Sequence, residues 1–167
     1  MDPYLESSPK DNPCPPWKIL IVDDDEDIHF MTKLMLKNFR FEQRELLFIH
    51  AFSAKDSLEK LAEHTDTAVV LLDVEMERPQ AGFEVICNIR QIDPLCRIII
   101  RTGQAGSILE EEAIRRYDIN DYREKTELTK LKLNSCVMGA LRSYRDLLNL
   151  EQEKTVLRQT VCKLKQI

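Results

Sequence analysis

An open, doubly wound α/β domain, with a five-stranded parallel sheet and an extended C-terminal helix, is the fold this sequence predicts. Three observations predict it. From Trp17 onward, short apolar runs alternate with helical patterns in five successive β–α repeats. Strands alternating with single helices form a parallel sheet, because parallel neighbours need crossover connections and these are right-handed. Five units are too few to close an eight-stranded barrel, so the sheet stays open. Beyond the fifth unit the chain stays helix-compatible from Glu127 to Ile167, with no proline and with Gly139 in mid-run.

The elements follow in order. Residues 1–16 read as a disordered leader, since Pro3, Pro9, Pro13, Pro15 and Pro16 forbid regular hydrogen bonding. "WKILIV" is a continuous apolar run, as expected of a strand buried on both faces. "IHFMTKLMLKNF" places Ile28, Met31, Leu34, Met35 and Leu36 on a helical stripe, with Met31 and Met35 as core filler. "ELLFIHAF" is the second strand, and "SAKDSLEKLAEH" a helix capped by Ser53. "TAVVLLDV" is the third strand, ending at Asp73, and "GFEVICNIRQI" a helix with Phe83, Ile86 and Ile89 on one face. "CRIIIRTG" is the fourth strand, ending at Thr102, and "SILEEEAIRRYD" the fourth helix. "INDY" is a weak fifth strand before the C-terminal helix.

Composition excludes several classes of function. The 167 residues allow one domain and an appendage, and 43% hydrophobic residues supply an ordinary core. A net charge of −5 argues against nucleic-acid binding, which needs a basic face. No apolar run approaches a membrane span, and the polar, proline-rich N-terminus has no signal-peptide core. Cys14, Cys87, Cys96, Cys136 and Cys162 are odd in number and lack CxxC spacing, which fits reduced thiols in a cytoplasmic protein.

The chemistry lies at the strand ends. In doubly wound sheets the ligand crevice lies beyond the carboxyl ends of the strands. The first strand ends on Asp23 and Asp24, the third on Asp73 and the fourth on Thr102, while Lys125 follows the fifth. The fold therefore brings five residues, distant in sequence, to one crevice. Clustered carboxylates raise one another's pKa unless a cation neutralises them. An all-oxygen site with few protein ligands suits Mg²⁺. A carboxylate beside Mg²⁺ and a lysine can attack phosphorus and carry an acyl phosphate, with the lysine and a threonine hydroxyl stabilising the phosphoryl oxygens.

These residues resemble the receiver domain of bacterial two-component response regulators. "ILIVDD", "VVLLDVEM", "IIIRTG" and "DYREK" carry the resemblance, which covers residues 17 to 143. It implies a flavodoxin-like sheet of order 2-1-3-4-5, an order that comes with the resemblance and not from spacing. It also implies Asp73 as phospho-acceptor and Asp24 as a direct Mg²⁺ ligand, with Asp23 acting largely through water and Glu75 through its backbone carbonyl. Thr102 and Lys125 would contact the phosphoryl group, Tyr122 matches the switch aromatic, and Glu75 and Gln104 match the rim that sets phosphoryl lifetime. "WKILIVDDDEDIH" and "DINDYREKTELT" further resemble receivers that precede an HD-GYP cyclic-di-GMP phosphodiesterase. This chain has no HD dyad and no GYP tripeptide, so the output domain is expected outside it.

Departures from the family pattern are local. Met76 is in place, but Pro79 comes late and Gly82 falls nine residues after Asp73, a one-residue insertion. Thr126 follows Lys125 where receivers carry a cis proline. A cis bond before a non-proline costs about 2.5–4 kcal/mol.

Plainer roles compete at the other positions. Asp25 and Asp27 read as helix N-terminal charges, and Glu110–Glu112 as a solvated helix face. His29, His50 and His64 lack metal-ligand spacing and read as structural or surface residues. The expected function is a phosphorylation-dependent switch, served by a histidine kinase or phosphotransfer protein, that turns over no external substrate. The alternatives are a degenerate receiver that only binds proteins and a haloacid-dehalogenase-type phosphotransferase. The latter needs an aspartate where Glu75 stands. Past Ser143, Leu147, Leu150, Lys154, Leu157, Val161 and Leu164 repeat at steps of three and four, an a/d seam. Residues 144–167 are therefore expected to form a helical linker and a parallel coiled coil joining two copies.

Overall fold

The computed structural model describes residues 14–76, 81–103, 115, 117–127 and 129–164. Five strands form one parallel sheet: β1 (Trp17–Val22), β2 (Leu46–Ala51), β3 (Thr67–Asp73), β4 (Arg97–Thr102) and β5 (Asp121–Glu124). Their order is β2-β1-β3-β4-β5, as the family resemblance implied. The helices are α1 (Glu26–Leu36), α2 (Ala54–Glu63), α3 (Ala81–Ile92) and a long C-terminal α4 (Lys130–Leu164). Most of the fourth helix read from the sequence (107–114 and 116) with its Glu110–Glu112 patch, the leader up to residue 13, and Pro79 lie outside the described residues.

Two apolar layers flank the sheet. Trp17, Ile19, Ile21, Val69, Leu71 and Ile99 face α1 and α4. Leu20, Val22, Val70, Leu72, Ile98 and Ile100 form the other layer with Leu61 of α2 and Ile86 and Ile89 of α3. This alternation is the period of two expected of strands covered on both faces. Every residue of β3 and β4 is buried.

Helix starts follow local chemistry. Asp25 caps α1, its side chain accepting from the Asp27 N–H, with Glu26 and Asp27 in the first turn. Ser53 caps α2 by accepting from the Asp56 N–H at 3.1 Å, and Asp56 accepts from the Phe52 N–H at 3.1 Å. The exchange is close to a capping box, with the Asp56 carboxylate taking the N–H of Phe52, one residue before the cap, in place of that of Ser53. At α4 the Thr129 hydroxyl accepts from the Lys132 N–H.

Two expectations are corrected. The apolar stripe on α1 is only in part the buried face: Leu36 is buried and Met35 packs partly against the core, but Met31 is 47% and Leu34 52% exposed. His29 and Thr32 are buried in their place. Polar partners beneath the helix, described below, decide this rotation. The fifth strand begins at Asp121 rather than in the preceding Ile-Asn, because Asn120 uses its side chain as well as its backbone. Its Oδ1 accepts from the Ile98 N–H at 2.8 Å while its own N–H donates to the Ile98 carbonyl at 2.9 Å.

Candidate functional site

The face of the sheet covered by α1 and α4 is apolar until the strands end, and there it turns ionic. Asp23 follows Ile19 and Ile21 by strand parity, Asp73 follows Val69 and Leu71, and Arg101 follows Ile99. Asp23, Asp73 and Arg101 are 0%, 1% and 2% exposed. One carboxylate oxygen each from Asp23, Asp24 and Asp73 lies within 4.8 Å of the others. Asp24 is the exposed member.

Lys125 closes the cluster. It opens a single 3₁₀ turn (Lys125–Glu127) directly after β5. Its Nζ donates to Asp73 Oδ2 at 2.8 Å and lies 3.2 Å from Asp23 Oδ2. Burial works against the Lys125 charge, but the hydrogen bond to Asp73 and the two carboxylates outweigh it and hold the ammonium above its ordinary pKa. All peptide bonds among the described residues are trans, so Lys125 reaches the site with a trans bond to Thr126.

The loop after β3 is tied to Asp73. The Glu75 N–H donates to Asp73 Oδ1 at 2.9 Å, and Glu75 Oε2 accepts from the Gly103 N–H at 2.7 Å. Glu75 thus spans the ends of β3 and β4, beside the buried Thr102. Tyr122 is half-buried in β5, packed against the layer that faces α2 and α3. Gln104 lies outside the described residues.

Asp23 has the most complex surroundings. Burial pushes its carboxyl above the ordinary value; Arg101, the Asp25 N–H and Lys125 pull it down, and Asp73 adds to the rise. Its backbone carbonyl accepts from His29 Nε2 at 2.8 Å. A carbonyl can only accept, so His29 carries its proton on Nε2. Its Nδ1 then accepts from His50 Nδ1, at 2.8 Å. His29 is structural, as read from the sequence, and its bond to Asp23 explains part of the rotation of α1. Arg101 explains the rest, since its Nη1 donates to Thr32 Oγ1 at 2.8 Å.

Arg101 was not singled out from the sequence. The signal was there: a charged residue in a strand buried on both faces, one position before Thr102 and on the parity of Asp23 and Asp73. Burial lowers its pKa while Asp23 and Asp73 raise it. A guanidinium remains charged throughout the working range.

The carboxylate set fits a hard divalent cation. Asp23 Oδ2 is buried and accepts no hydrogen bond, which leaves a lone pair for a ligand. Oxygen donors with one exposed member, where water can complete the shell, match Mg²⁺ better than a softer metal.

A parallel sheet of this order, with clustered acids, a lysine and a threonine at its carboxyl edge, is the arrangement expected of a receiver domain. The chain belongs to the response regulator receiver domains: their family model matches residues 19–134. Over 148 residues it is 41% identical to the 3'3'-cGAMP-specific phosphodiesterase 2 of Vibrio cholerae. That match takes in 87% of this chain and 28% of the phosphodiesterase, so the chain spans under a third of that relative's length. A receiver domain protein from Clostridium thermocellum superposes with a TM-score of 0.66 at 25% identity, covering 78% of this chain and 98% of that one. The signal receiver domain of an HD domain-containing protein from Pseudomonas fluorescens Pf-5 does so with a TM-score of 0.68 at 23% identity, covering 80% and 93%.

Proposed function

We propose that this chain is a phosphorylation-dependent switch that accepts a phosphoryl group on Asp73. The observation that carries the reading is Asp73 itself: a buried carboxylate at a strand end, held by Lys125 at 2.8 Å and flanked by Asp23 and Asp24. The donor is the phosphohistidine of a histidine kinase or a phosphotransfer protein. An Asp73 oxygen attacks phosphorus, the P–N bond breaks, and the imidazole leaves with the electron pair and takes up a proton. The product is an acyl phosphate on Asp73. Asp23, Asp24, Asp73 and the Glu75 carbonyl would hold Mg²⁺, which when bound offsets the negative charge of the phosphoryl oxygens. Lys125 and the Thr102 hydroxyl bind those oxygens. Thr102 is drawn inward, Tyr122 repacks, and the surface around β5 and α4 changes its affinity for partners.

The chain turns over no external substrate in this reading. Its signal passes to an output domain outside the sequence, and the match to part of a phosphodiesterase supports a cyclic-dinucleotide hydrolase as that output. Dependence on a histidine kinase places the switch in the cytoplasm. The exposed Leu150, Leu157, Val161 and Leu164 on α4 support a homodimer through a coiled coil.

Incubation with a small phosphodonor and Mg²⁺ tests the assignment. Wild type gains an acyl phosphate that hydroxylamine removes, and Asp73→Asn gains none, because the amide nearly keeps the shape but loses the nucleophile. Equal labelling of the variant would overturn it.

A further inference from the structure

Arg101 is left over once Lys125, Thr102 and the three aspartates have been given their tasks. Its position in the pocket is fixed from one end. Nη1 donates to Thr32 Oγ1 at 2.8 Å, and that hydroxyl donates to the Ile28 carbonyl at 2.7 Å within α1. At the other end Nε and Nη2 are buried with no hydrogen-bond partner. Nη2 lies 3.5 Å from Asp23 Oδ2, which is itself buried and accepts no hydrogen bond, though the Lys125 ammonium stands 3.2 Å from it. Leaving buried donors and an acceptor unmade is costly, so a guanidinium kept this way is kept for its charge.

The charges of the buried set explain what that charge does. Asp23 and Asp73 are two buried anions; Arg101 and Lys125 are the two cations beside them. Lys125 serves both carboxylates, and Arg101 supplies the second positive charge next to Asp23. The two buried anions are therefore matched by two cations with no metal present, and the exposed Asp24 adds one further negative charge at the mouth.

We propose that Arg101 is a resident counter-ion that neutralises Asp23 in the metal-free protein and competes with a divalent cation for that carboxylate, so that it sets the metal affinity of the switch. The inference rests on the reading of this pocket as a Mg²⁺ and phosphoryl site. A divalent cation at Asp23, Asp24 and Asp73 brings two positive charges against the one negative charge left unmatched on Asp24, and Arg101 cannot shed its proton to compensate. Phosphorylation turns the Asp73 carboxylate into a dianionic acyl phosphate, one further negative charge that offsets the excess, so loading is favoured most together with the phosphoryl group.

Calorimetric titration of Mg²⁺ into wild type, Arg101→Gln and Arg101→Lys tests this, with thermal unfolding of each protein recorded with and without the metal. Gln drops the charge and keeps a donor for Thr32; Lys keeps the charge. Arg101→Gln is expected to bind Mg²⁺ about tenfold tighter, the scale of removing one close like charge from a partly buried site. It unfolds at a lower temperature without metal and gains more from Mg²⁺ than wild type does. Arg101→Lys stays close to wild type in affinity. Folding of Arg101→Gln only in the presence of Mg²⁺ also supports the proposal. Unchanged or weaker Mg²⁺ binding by Arg101→Gln overturns it, as does failure of that variant to fold even with Mg²⁺, which marks Arg101 as a packing residue. Wild type that binds no Mg²⁺ overturns the functional reading beneath it, a separate outcome.

Discussion

At the scale of the residue, Glu75 separates charge from hydrogen bonding. Its backbone N–H fixes one oxygen of Asp73, while its exposed carboxylate accepts from the Gly103 N–H. The side chain thus steadies the chain next to Thr102 and adds a negative charge to the mouth of a site that receives anionic donors. Glu75→Gln keeps an acceptor for Gly103 and drops the charge. Labelling by a small anionic phosphodonor should then run roughly two- to fivefold faster, the scale of one exposed charge interaction of up to ~1 kcal/mol. Glu75→Ala removes the acceptor as well, and acyl-phosphate decay should change in it beyond the effect seen in Glu75→Gln. Initial labelling rates and decay curves for the three proteins check both points. Identical rates throughout would leave Glu75 without influence on the site. Cys96 illustrates the opposite case, a reactive group made inert. Burial pushes its thiol up to about 12, with Asp93 adding to the rise. Cys14 and Cys162 are exposed. A thiol reagent at pH 8 should label those two in the native protein and reach Cys96 only after unfolding, as peptide mapping would show.

At the scale of the element, the start of α3 is set against the end of the strand that carries Asp73. A Cβ on Gly82 would stand 2.5 Å from Val74 Cα, one residue past Asp73. The family's loop glycine, displaced by one residue in this sequence, therefore still marks a point of close backbone approach. Two effects oppose each other in Gly82→Ala. Alanine favours a helix over glycine by about 1 kcal/mol. Forcing a methyl group against backbone costs ~1–3 kcal/mol or more, and this neighbour is backbone that cannot swing aside as a flexible side chain would. The clash wins, so Gly82→Ala should lower stability by about 1–2 kcal/mol and slow labelling at Asp73, because α3 must shift away from the residue that follows the acceptor. Urea unfolding and labelling kinetics measure the two effects. A variant as stable as wild type would show that α3 moves at no cost.

At the scale of the whole molecule, α4 belongs to two environments along one continuous helix. Leu133, Val137, Ala140, Leu141 and Tyr144 are buried against the sheet, and Leu148 still packs on that core. Tyr144 stands edge-on to Trp17, whose Nε1 donates to the Phe41 carbonyl at 3.0 Å. From Leu150 onward the apolar residues of the seam are exposed. A dimer test must therefore cut after Leu148 and not at Ser143, since the shorter chain loses Tyr144. A chain ending at Asn149 is expected to be monomeric by light scattering with Mg²⁺ binding intact. The full chain is expected to be dimeric at tens of micromolar, an order-of-magnitude figure for a weak dimer. A truncated chain that stays dimeric, or a full chain that stays monomeric, would count against the seam.

Sequence alone determined the alternation of five strands with helices, the cap at Ser53, and the residues at the strand ends. Each of these is local: strand burial shows as an unbroken apolar run, a cap as one side chain beside its own backbone, and a crevice residue as the last position of its strand. The order of the sheet was legible through the family resemblance. What only the tertiary structure decided is how polar groups pair across elements. The face that α1 presents was legible at Met35 and Leu36 but not at Met31 and Leu34, because a carbonyl of Asp23 and the guanidinium of Arg101 drew His29 and Thr32 inward. The start of β5 was misplaced because an asparagine side chain took a backbone's role. Arg101 escaped notice because its meaning comes from Asp23, 78 positions away in the chain and 3.5 Å away in space. Apolar burial follows the periodicity of a single segment, but buried charge has to be compensated, and its compensating partner can come from any strand that the fold brings alongside.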